Sequence, residues 1–120
     1  MLTIEAVAEA LLFASKAGAD PVKVRNALRG GFAASRILDV HGQRMLDRKF
    51  DPGFRIALHQ KDLNLALEGA RALGMALPNT ASTQQLFNVA TGLGGKAWDH
   101  SALLMALESM AGGHEIGKPG

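Results

Sequence analysis

Four histidines, His41, His59, His100 and His114, are the side chains of this sequence best suited to acid–base or metal chemistry. None pairs with another at the i, i+4 spacing that puts two imidazoles on one helical face, and His59 with Asp62 is a weak pair. Spacing therefore predicts no metal site. Asp99-His100-Ser101 has the residue types of a hydrolase triad. Neighbours on one helix point in different directions, however, and cannot relay a proton as a triad does. Asp99 is expected to cap a helix instead. Gly92-Leu93-Gly94-Gly95 could pass for a phosphate loop, but such a loop follows a strand and opens a helix, and this one follows a helical segment. Lys61 stands beside Asp62 in the N-terminal part of a long helix, shortly after Gly53-Phe54. From spacing alone it reads either as a cationic donor over an adjoining cleft or as a solvated lysine on a surface stripe.

The composition bounds what these residues can belong to. A chain of 120 residues with 48% hydrophobic residues buries one core and no more. Without cysteine there is no disulfide framework, no thiolate-held zinc or iron–sulfur site and no thiol nucleophile. Thirteen basic against 11 acidic residues leave a net charge of +2. The densest basic cluster, Arg44, Arg48 and Lys49, is diluted by Asp47 and Asp51, and aromatics are 5% with no tyrosine, so no nucleic-acid partner is expected. The longest strongly apolar stretch, Ala10 to Ala14, is core-sized, and the N-terminus lacks the basic region and cleavage site of a secretory signal. The expectation is a cytoplasmic protein with no membrane partner.

The elements that must position these groups all read as helices, about six of them, with no convincing strand. The first spans about Leu2 to Ala17 and is apolar almost all round, with Thr3 as the available cap. Its abrupt apolar start suggests a chain cut into an existing helix. Asp20-Pro21 opens the second helix, which stops at Gly30-Gly31, and Ser35 caps the third, with Leu38, His41, Gly42 and Met45 at core spacing. Asp51-Pro52-Gly53 marks a turn. The fourth helix, about Arg55 to Leu73, is predicted to bury Leu63, Ala66, Leu67, Ala70 and Leu73 and to line Lys61, Asn64, Glu68 and Arg71 along a polar stripe. The fifth opens at Pro78 with Asn79 or Thr80 and carries Leu86, Phe87, Ala90 and Leu93 as core. The sixth buries Leu103, Leu104, Leu107 and Met110. Residues 1–111 form the domain in this reading, and 112–120 a flexible tail.

The run Pro52-Gly53-Phe54-Arg55-Ile56-Ala57-Leu58-His59-Gln60-Lys61-Asp62-Leu63 resembles a motif of the β-hydroxyacid dehydrogenases. Glu9-Ala10-Leu11 through Ala17-Gly18-Ala19-Asp20-Pro21, then Ala27-Leu28-Arg29-Gly30-Gly31, then Asp99-His100-Ser101-Ala102-Leu103 resemble three more, and together they span about residues 4 to 108. The branch of that family that reduces tartronate semialdehyde (2-hydroxy-3-oxopropionate) is nearest. The resemblance implies an all-α domain like the C-terminal domain of 6-phosphogluconate-dehydrogenase-like enzymes, without the Rossmann domain that binds NAD or NADP. This C-terminal domain closes the substrate cleft, whose substrate is a small hydroxyacid, and makes a homo-oligomer. Lys61 then matches the family lysine that reaches the nicotinamide region, Phe54 an aromatic lining the same cleft, and Asp62 a carboxylate with a structural role beside it. The family's catalytic lysine would fall before Met1, so no catalytic residue is expected within this chain, no tightly bound cofactor and no activity of the chain by itself. A stand-alone helical dimerisation or interaction module that has lost catalysis is the alternative.

Overall fold

A computed structural model describes residues 1–118; Pro119 and Gly120, the end of the expected tail, lie outside the described residues. The architecture is all-helical, with α1 (Leu2–Lys16), α2 (Pro21–Arg29), α3 (Arg36–Asp47), α4 (Ile56–Ala72), α5 (Pro78–Gly92) and α6 (Leu103–Met110). A 3-10 turn at His100–Ala102 leads directly into α6. Among the described residues no helix is long and apolar enough to cross a membrane.

The place of α1 explains only part of its apolar surround, since Leu2, Ala6, Ala10 and Phe13 stay exposed. The helix packs against α2, α3, α5 and α6, and Ile4, Ala8 and Leu11 are completely enclosed. Thr3 does not cap it; Met1 occupies that position without a side-chain bond. Two other starts follow the sequence reading. Asp20 accepts from the Val22 amide at 2.9 Å ahead of Pro21, and Ser35 accepts from the Leu38 amide at 2.9 Å. Helix α2 meets α3 through a buried arginine. Arg25 donates to the carbonyls of Leu38 (3.2 Å) and Asp39 (2.7 Å), and Gly42 makes room, since a Cβ there would stand 3.4 Å from the Arg25 Nε.

The pattern of α4 and α5 departs from expectation. Leu63 and Ala70 are buried, but Ala66 is exposed, Leu73 is 78% exposed, and Ile56 and His59 join the core instead. The cause is position: α4 packs chiefly against α5, with one narrow face covered, so a wide apolar stripe overshoots it. In α5, Phe87 and Ala90 are buried as expected, while Leu93 is exposed and Thr83 and Gln84 take inward positions. Gln84 reaches the Asn64 side-chain oxygen at 2.7 Å and the Gln60 carbonyl at 3.4 Å, so amides replace leucines in the α4–α5 contact. Leu103, Leu104 and Leu107 of α6 are core, whereas Met110 is exposed.

Residues 112–118, expected to fray, pack back onto the body. His114 Nε2 lies 3.0 Å from the Ser15 hydroxyl, which also accepts from the Gly117 amide at 2.9 Å. Ile116 is buried, and its amide donates to Glu108 at 2.9 Å. Glu108 is itself buried and receives both terminal nitrogens of Arg48 at 2.8 Å, which holds Arg48 in a left-handed conformation (φ 52°) at the end of α3.

Candidate functional site

The site begins as a backbone ladder. Two loop segments, one before α4 and one before the 3-10 turn, run side by side. Ile56 N donates to Trp98 O (2.9 Å), Ala57 N to Lys96 O (3.0 Å), Asp99 N to Phe50 O (2.9 Å) and His100 N to Phe54 O (2.7 Å). Arg55 and Asp99 form an isolated antiparallel bridge. The Pro52-Gly53-Phe54 motif and the Asp99-His100-Ser101 motif are thus two sides of one structure. Gly95 permits the approach: a Cβ there would sit 2.0 Å from the Trp98 ring.

Asp99 locks the ladder. Its side chain is 0% exposed. One oxygen accepts from the amides of Gly53 (2.9 Å) and Phe54 (3.0 Å), the other from the Ser101 amide (2.9 Å) and hydroxyl (2.5 Å). The Arg44 Nε stands 3.4 Å from the second oxygen. Burial by itself would raise the carboxyl pKa, but the hydrogen bonds from Ser101, Phe54 and Gly53 together outweigh it and hold the group down at about 2. The expected cap is present, and it does more than cap, because the same carboxylate also fixes a turn 45 residues earlier in the chain.

Three of the four histidines gather beside this carboxylate. His100 Nδ1 lies 3.1 Å from His59 Nδ1, and His100 Nε2 lies 3.1 Å from His41 Nε2. His41 Nδ1 faces Asp99 Oδ2 at 3.8 Å. One arrangement of hydrogens suits the whole row. His41 keeps its hydrogen on Nδ1 toward the carboxylate, His100 donates from Nε2 to His41, and His59 donates from Nδ1 to His100. All three rings are held neutral. Burial lowers the pKa of His59 to about 4, helped by the nearby His100. Burial likewise lowers that of His100 to about 4 against the opposing pull of Asp99, and it lowers that of His41.

The histidines support an aromatic ring at the surface. Phe54 meets His59 edge-on at 5.3 Å between centroids and lies 5.4 Å from His100, while the ring itself remains exposed. His59 in turn packs on the buried Phe87 at 5.1 Å. Lys61 and Asp62 are exposed on α4, and among the described residues neither makes a hydrogen bond or ion pair. Reading by spacing missed the grouping of His41, His59 and His100, because they come from α3, α4 and the 3-10 turn and no local periodicity links them. The one signal was that His59 and His100 lie within two motifs that the fold zips together; His41 carried none.

Comparison with known proteins decides the ancestry. A family profile described as "NAD-binding of NADP-dependent 3-hydroxyisobutyrate dehydrogenase" matches residues 1–107. The chain belongs to the 3-hydroxyisobutyrate dehydrogenase family. Within the family it is 70% identical over 110 residues to the 2-hydroxy-3-oxopropionate reductase of Escherichia coli (strain K12), covering 92% of this chain and 38% of that one. It is 39% identical to a probable 3-hydroxyisobutyrate dehydrogenase-like mitochondrial protein of Arabidopsis thaliana, over 90% of this chain and 32% of the other. The crystal structure of a 3-hydroxyisobutyrate dehydrogenase from Salmonella typhimurium superposes with a TM-score of 0.82 at 26% identity, over 87% of this chain and 36% of that chain. The chain therefore spans between about a third and two-fifths of the length of these relatives, and its six helices are their helical domain.

Replacing Asp99 by alanine leaves the amides of Gly53, Phe54 and Ser101 without their acceptor, at about 1–3 kcal/mol for each one that water does not then reach. Asp99→Ala is expected to lower stability by at least about 3 kcal/mol, and Ser101→Ala, which removes one donor and leaves the clamp standing, by about 1 kcal/mol. Urea denaturation followed by circular dichroism measures both. Equal losses for the two variants would show that the Gly53 and Phe54 bonds carry no weight.

Proposed function

We propose that this chain is the helical half of a two-domain NAD(P)-dependent reductase of 2-hydroxy-3-oxopropionate, in which it closes the substrate cleft. The observation that carries the reading is the 70% identity, sustained across 92% of the chain, to a reductase of that name. The rigid presentation of Phe54 supports it.

The residues present fit one wall of a nicotinamide site. Phe54 offers an exposed aromatic face backed by two imidazoles, and Lys61 offers an exposed ammonium on the helix that follows. They do not supply a phosphate cradle, since the glycines after α5 follow a helix and not a strand. A reduced nicotinamide, when bound, supplies the hydride for the carbonyl carbon. In this reading Phe54 limits the tilt of the ring and keeps water from that face. Lys61 pairs with an anionic or carbonyl oxygen on the cofactor side, and Asp62 orients its neighbours. The proton for the substrate oxygen comes from the family's catalytic lysine, which no residue of this chain matches. A cytoplasmic setting suits a diffusible cofactor and a small polar acid.

The same reading makes the domain a dimer surface. Phe13 (78% exposed) and Met110 (67% exposed) flank a shallow apolar groove with Leu12, Leu107 and Ala111. A second copy of the chain is the occupant proposed here, because the resemblance has the first long helix pack on a partner subunit. A symmetric contact of about 1,600 Å² would bury both residues. Light scattering at micromolar concentration should give twice the chain mass, and Phe13→Glu should return a single-chain species. A wild-type protein of single-chain mass would remove the proposal.

The catalytic reading is tested by restoring what these residues lack. The 120-residue protein alone should show no oxidation of NADH or NADPH with 2-hydroxy-3-oxopropionate. Joined to the cofactor domain of the E. coli relative it should turn over, and Lys61→Ala should raise the KM for cofactor more than it changes stability. A folded, cofactor-binding fusion without turnover would favour the alternative of an interaction module that has lost catalysis.

A further inference from the structure

The three-histidine row has a second capacity that does not depend on the proposed reductase function. The Nε2 atoms of His41 and His100 face each other at 3.1 Å, with the rings nearly perpendicular (88°). Two nitrogens held about 2.0–2.1 Å from one zinc ion at an angle of roughly 100° are about 3.1 Å apart. The other nitrogen of each ring is already backed. Asp99 Oδ2 stands behind His41 Nδ1 at 3.8 Å, and His59 Nδ1 stands behind His100 Nδ1 at 3.1 Å. A carboxylate behind a ligating imidazole is the usual way a protein fixes the tautomer of a metal ligand. His41 Nδ1 is buried without a hydrogen-bond partner, and Asp99 Oδ2, at 3.8 Å, is the carboxylate oxygen that faces it. His41, Asp99 and His100 each bring a donor atom within 4.8 Å of the others.

We propose that His41 and His100 form a binding site for a transition-metal ion of the zinc or nickel class, with Asp99 and His59 as the groups that orient the two ligands. Two imidazoles suit Zn²⁺, Ni²⁺ or Cu²⁺ and discriminate against Mg²⁺ and Ca²⁺, which prefer oxygen. Asp99 stays behind the site, since four donors already occupy its oxygens. Binding requires no net loss of a proton. The hydrogen on His100 Nε2 is replaced by one on Nδ1, which donates to His59 Nδ1, and His59 carries its own hydrogen on Nε2. Two cations oppose an incoming ion: Arg44, which donates to the Asp51 carbonyl and stands 3.4 Å from the Asp99 carboxylate, and the Met1 ammonium, whose charge also acts on both rings; water completes the coordination. Half-buried His41 and His100 leave the ion a route from solvent.

The test uses the 120-residue protein without any histidine tag. Calorimetric titration with Zn²⁺ and Ni²⁺ should give one ion per chain, and Mg²⁺ should give no heat. His41→Gln and His100→Gln should each weaken binding at least about tenfold, while His114→Gln, in a histidine remote from the row, should leave it unchanged. A second readout covers the case in which a variant fails to fold. In the wild-type protein, Ni²⁺ should broaden the ring signals of His41 and His100 before those of His114. Absence of binding at millimolar metal overturns the proposal, as does binding that follows His114 or the N-terminal amine.

Discussion

A carboxylate that water cannot reach must have its charge answered where it lies, and Asp99 is that carboxylate. Four hydrogen bonds and a nearby guanidinium answer it. The donors come from the turn at Gly53-Phe54 and from Ser101, and the cation from α3. Three parts of the chain that share no local sequence are therefore brought to one point. The loop before α4 cannot move without leaving a buried charge short of partners. Phe54, carried on that loop, inherits its fixed position, and the imidazoles of His59 and His100 complete its support from behind. Strong hydrogen bonding also keeps Asp99 ionised, which in turn selects the tautomer of His41 and, through it, the row of histidines.

Around this point the helices do ordinary packing work. Four other helices cover Ile4, Val7, Ala8, Leu11 and Leu12 of α1, and the half-buried Arg48 with the buried Glu108 ties the end of α3 to α6 and to residue 116. Apolar side chains remain exposed around Phe13 and Met110 on one side and at Leu73 on another.

Local signals were legible in the sequence, and long-range ones were not. Asp20 before Pro21 and Ser35 before an apolar repeat cap their helices as their chemistry requires, since a cap depends only on residues two or three positions away. Leu73 and Leu93 were misread because periodicity reports an apolar stripe, not how much of it a neighbour covers. Glu108 carried no local signal and His114 fell in the expected tail; their partners, Arg48 and Ser15, are 60 and 99 positions away. The site divides in the same way. Phe54, His59, Lys61 and Asp62 stood in one recognisable motif, His100 in another and His41 at core spacing in the third helix, but nothing local brought the three histidines together. Asp99 was legible as a cap, and its bonds to Gly53 and Phe54 were not.

Hydrogen exchange at the amides of Gly53 and Phe54 tests the central role of Asp99 most directly. Both lie in a loop, where exchange is ordinarily fast. If their bonds to Asp99 hold the loop to the body, the two amides exchange only through large-scale opening, with protection like that of the Leu63 amide within α4. Exchange near the rate of an unstructured peptide, with α4 still protected, would contradict the account.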